Sequence, residues 1–168
     1  MRSPQTGALL GSAFAVLVGL AGCSDTATEL MVVVDTDLVV PTEMDNVSIS
    51  VTGPSGEEVI HPVALTGPDA VELPLTLGLV PEGDVLEPVT VRATGLLDSA
   101  PVVERSVRTG FLKNQIRVVR LLLLRGCVER MCAGDESCSE DGCVPVRRPS
   151  VGATVRLPYS RDGFEPEA

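Results

Sequence analysis

Residues 46–53 read Asn46-Val47-Ser48-Ile49-Ser50-Val51-Thr52-Gly53, and this stretch decides the fold. Val47, Ile49 and Val51 alternate with Ser48, Ser50 and Thr52, the two-residue period of a strand with one dry and one wet face. The β-branched residues favour extended backbone, and Ile49, midway between Val47 and Val51, keeps the period at two rather than at a helical turn. Pro54-Ser55-Gly56 then supplies a turn.

Outward from this strand the pattern recurs. Residues 88–95 alternate through Val89, Val91 and Ala93. Residues 71–79 do so through Val71, Leu73, Leu75, Leu77 and Leu79. Pro74 lies inside that second stretch and points to a sheet edge, because proline has no N–H for the ladder. Residues 29–34 and 119–124 are continuous apolar runs, expected where both faces of a strand are covered. The longer run 117–124 would aggregate if left unpaired and is expected in a central strand. Residues 57–65 and 102–110 are weaker candidates. Together these make about seven short strands separated by Gly, Pro and Asp clusters. The expected fold is mainly β: a single antiparallel β-sandwich of immunoglobulin or transthyretin type over residues 28–125. A true immunoglobulin domain is excluded, since the inter-sheet Cys pair and the core Trp are both missing.

Composition agrees. Across 168 residues there is no Trp, one Tyr and three Phe, so Val and Leu must build the core. Thirteen Pro and sixteen Gly interrupt helices. The net charge of −10 disfavours a nucleic-acid partner, which needs a cationic surface.

The N-terminus reads differently. A polar start containing Arg2 leads into residues 8–20, thirteen positions without a charge. That suits a secretory signal helix and falls short of the roughly 20 apolar residues a membrane span takes. Leu20-Ala21-Gly22-Cys23 closes the stretch and resembles the lipobox of bacterial lipoproteins. The resemblance implies that residues 1–22 are a signal peptide removed on maturation. The Cys23 thiol then receives a diacylglyceryl group, and its freed amine is acylated. Several chains on one residue give a stable membrane anchor where one would be marginal. Residues 23–27 become a lipidated N-terminus and short linker. Ser24, rather than Asp, after the cysteine favours the outer membrane by the family's sorting rule. Parity supports this: five cysteines are odd, and assigning Cys23 to lipid leaves four.

Those four are Cys127, Cys132, Cys138 and Cys143, spaced C-x4-C-x5-C-x4-C among polar residues. In an exported chain this reads as a disulfide-stapled knot over residues 126–144. Four cysteines allow three connectivities, and the sequence does not choose. Zinc is the competing reading, but the C-x2-C knuckles of structural zinc sites are missing. The spacing resembles EGF-like fragments, which implies the interlaced pairing Cys127–Cys138 and Cys132–Cys143. The knot follows the last strand directly and is expected to clamp its end. Residues 145–168 carry Arg147, Arg148, Arg156 and Arg161 without periodicity and read as a disordered tail.

No stretch identifies a reaction. His61 is the only histidine, and no nucleophile motif stands near it. A phosphate-cradling loop and an H-E-x-x-H helix are both missing. Asp35, Asp37, Glu43 and Asp45 form the best oxygen-ligand cluster, but without a calcium-loop spacing. Asn46-Val47-Ser48 matches a glycosylation acceptor but falls inside a strand. The chain is expected to be non-catalytic, with neither cofactor nor metal. The whole resembles uncharacterised Gram-negative envelope lipoproteins in which a small β-sandwich precedes a Cys-rich segment. That resemblance implies a lipid-anchored envelope protein whose sandwich binds or supports another envelope component. The alternative is an accessory or inhibitor of a secreted enzyme acting through the knot.

Overall fold

The structure, a computed structural model, describes residues 27–83 and 85–146. The signal segment, the lipobox residues Leu20, Ala21, Gly22 and Cys23, and residues 147–168 lie outside the described residues. Nine strands follow in order: β1 (Glu29–Thr36), β2 (Asn46–Thr52), β3 (Glu58–Ala64), β4 (Leu75–Leu79), β5 (Val89–Leu97), β6 (Ala100–Thr109), β7 (Ile116–Leu123), β8 (Glu136–Ser139) and β9 (Gly142–Pro145). One 3-10 turn, Arg125–Cys127, is the only helical element among the described residues.

The first seven strands form two sheets, ordered β4-β1-β7 and β3-β2-β5-β6. They pack face to face as the expected sandwich. Leu30, Val32, Val34, Leu121 and Leu123 from one sheet meet Val47, Ile49, Val91 and Ala93 from the other. Alternation along β2 and β5 is what makes this possible, since each places only its odd-numbered apolar residues inward. Met44 and Phe111 fill in from loops.

Several expectations need correction. All sandwich pairs are antiparallel except β1 with β7, which run parallel in register from Glu29↔Ile116 to Thr36↔Leu123. The β7 run, expected to be central, lies at the edge of its sheet, with β1 in the middle. An apolar run does not report how many backbone neighbours a strand has. β4 starts at Leu75, so Val71 and Leu73 fall outside it. Its edge position is the one Pro74 indicated. β3 forms the edge of the other sheet, where Pro62 costs no ladder bond. The strand order also departs from that of an immunoglobulin constant domain, because β2 pairs with β3 and β5 rather than with β1.

The β5–β6 hairpin turns through Asp98 and Ser99, with φ of 50° and 69°. Two successive positive φ values define the mirror-image turn that matches strand twist, and glycine suits it better than serine. The Ser99→Gly variant is therefore expected to be about 0.5–1 kcal/mol more stable, read as a higher urea midpoint of the oxidised protein.

Candidate functional site

The chemistry-bearing residues gather around the cysteine module and its seat on the sandwich. After β7 the chain makes the 3-10 turn and then a short hairpin, β8–β9, with Cys138 opposite Cys143. Disulfides join Cys127 to Cys138 and Cys132 to Cys143, with Cα–Cα distances of 5.7 and 5.6 Å. This is the interlaced pairing that the EGF-like resemblance implies. The first bridge is buried: Cys127 and Cys138 are 5% and 4% exposed and belong to the core. In the second, Cys132 is half-buried and Cys143 is exposed.

The module reaches past the end of β7 and docks along the free edge of β6. Arg105, in β6 and only 7% exposed, donates Nη1 to the carbonyl oxygens of Ser137 (3.1 Å) and Cys138 (2.5 Å). The Ser106 N–H donates to Ser137 Oγ at 2.7 Å, and the Arg108 N–H donates to the Val146 carbonyl at 2.8 Å. A strand edge that would otherwise invite pairing is thereby covered. Pro145 lies in β9 and Val146 bonds to β6, so the ordered module extends past the boundary at 144 read from sequence. Sequence reasoning missed Arg105 altogether. It looks like any charged residue in a weak strand, and only the fold brings the carbonyls to it.

A second set of contacts ties the module's start to the β1–β2 loop. The Arg125 N–H donates to Asp37 Oδ1 at 2.6 Å, and its guanidinium meets the Asp37 carbonyl and Glu43 Oε2. Glu43 also accepts from the Val39 N–H. Asp45 accepts from Asn46 Nδ2 and from the Asp98 N–H, while Asp35 accepts from the Thr36 N–H. The acidic cluster weighed for calcium is thus engaged with backbone and Arg125. Among the described residues no three metal-ligating side chains converge. These carboxylates act as loop fasteners. The Arg125–Glu43 pair is half exposed, and such pairs add little stability on their own.

His61 is half-buried on edge strand β3, paired with Ile49 and flanked on its face by Val59 and Val63. Its ladder partner and its strand neighbours on that face are apolar. Among the described residues no helix is long and apolar enough to cross a membrane. No family model, curated protein or solved structure matches the chain.

Proposed function

We propose that the protein is a non-catalytic, lipid-anchored component of the bacterial cell envelope, whose β-sandwich binds or supports another envelope component. The observation that carries this reading is Leu20-Ala21-Gly22-Cys23 at the close of an uncharged N-terminal stretch. Two further features support it. Paired disulfides belong to an oxidising compartment, which an exported chain would occupy. Arg105, Arg125, Asp37 and Glu43 are engaged in holding loops and the module together. The outer membrane is the favoured location because Ser24 follows the cysteine.

In the alternative reading the knot acts as an inhibitory module of a secreted enzyme. The bonds from Arg105, Ser106 and Arg108 favour the clamp role instead, since they commit one side of the knot to β6. Cys23→Ala should remove the anchor and shift the protein from the membrane pellet to the soluble fraction after cell lysis and ultracentrifugation. Retention of the variant in the pellet, with its leader removed, would contradict lipid anchoring.

A further inference from the structure

The two continuous apolar runs, read from sequence as covered on both faces, are covered on one by the described residues. In β1, Leu30, Val32 and Val34 are fully buried, but Met31 and Val33 between them are only half-buried. Register places Val118 beside Met31, Ile116 beside Glu29, Arg120 beside Val33 and Leu122 beside Asp35. On the other flank, Gly78 and Thr76 of β4 stand beside Met31 and Val33. Partners across a ladder point to the same side, so these residues share the outer face of the three-stranded sheet. Ile116 and Val118 are 49% and 37% exposed. The Glu29 carboxylate folds down over Gly78, where a side chain would meet it. Among the described residues Glu29, Asp35 and Arg120 are the charges on this face, too few and too balanced to recruit a highly charged partner. Met31, Val33, Ile116, Val118 and Leu122 are its apolar side chains.

The chain's entry indicates the occupant. The Glu29 N–H donates to the Gln115 carbonyl, and the Asn114 N–H donates to Thr28 Oγ1, so the start of β1 is pinned beside Ile116. Only residues 24–28 separate this point from Cys23. Five residues at full extension reach about 18 Å, less than the length of β1 itself. We propose that, in the anchored form, the outer face of the β4–β1–β7 sheet rests on the lipid surface that holds the Cys23 acyl chains. This rests on the lipid-anchor reading above. A tether this short presents the face to the bilayer at roughly millimolar effective concentration, so a contact too weak to bind a free protein is still occupied.

The methionines of the processed chain report on this directly. Met31 lies on the face, Met44 is 0% exposed in the core, and Met131 is 96% exposed on the knot. The acylated full chain, in vesicles of phosphatidylethanolamine and phosphatidylglycerol, is oxidised briefly and each methionine followed by peptide mass. Met31 is expected to oxidise about fivefold more slowly than in the acylated Ile116→Glu, Val118→Glu variant, with Met131 unchanged. Slow oxidation of Met44 shows that the variant is folded; should it not be, the single Ile116→Glu variant gives the same comparison at an exposed position. Equal Met31 rates in a chain whose mass shows acyl groups overturn the face assignment alone. Protection that disappears when the protein is diluted among more vesicles assigns the face to a second copy and also overturns it. A chain without acyl groups overturns the anchor reading and this inference with it.

Discussion

Replacing Cys127 and Cys138 together with alanine is expected to destabilise the protein by about 4–5 kcal/mol, against about 2–3 kcal/mol for Cys132 with Cys143. Both bridges span a sequence separation of 11, so the loop entropy they remove from the unfolded chain is the same. The difference comes from burial. Cys127 and Cys138 are part of the core, whereas Cys132 is half-buried and Cys143 exposed. Truncating the inner pair therefore opens a cavity as well as a loop. Urea unfolding of the two double variants, each with its remaining bridge oxidised, measures the gap. Equal midpoints would show that the knot is an appendage and not part of the sandwich core.

Arg105→Met is expected to cost about 2–4 kcal/mol, although it is a single surface-type residue in sequence. Methionine keeps the apolar stem but removes the donors to the Ser137 and Cys138 carbonyls. Both acceptors sit at buried residues, and bonds from a charged donor to buried carbonyls are the costly kind to lose. The loss should also be local in its signature. Amide exchange at Ser106 and Arg108, which bond to Ser137 and Val146, should accelerate more than exchange in β2. Uniform acceleration would instead assign Arg105 to general core packing.

These two effects differ in how far the sequence announces them. The strands with strict alternation, β2 and β5, are legible because a two-residue period admits one arrangement of faces. Cysteine spacing likewise marks the knot, as its polar filling excludes a hydrophobic core of its own. The runs of β1 and β7 are legible as strands but not as to position. A row of Val and Leu satisfies a central strand, or an edge strand whose second face rests on something outside the domain. The parallel β1–β7 pairing leaves no local mark, since strand direction is set by how the intervening strands route the chain. Arg105 is illegible for the same reason: its partners lie more than thirty residues away and are backbone carbonyls, which every residue possesses. Asp37 and Glu43 were visible as an acidic cluster, but their partner Arg125 comes from beyond β7. Chemistry carried by residue type is readable in one dimension; chemistry carried by a backbone carbonyl waits for the fold.

The most direct test of the whole account is the intact mass of the protein purified from its own membranes, before and after reduction. The account predicts a chain beginning at residue 23, heavier than its peptide by a diacylglyceryl group and an amide-linked acyl chain, and gaining four hydrogens on reduction of the two bridges. A mass that still includes Met1, or that is unchanged by reduction, would contradict it.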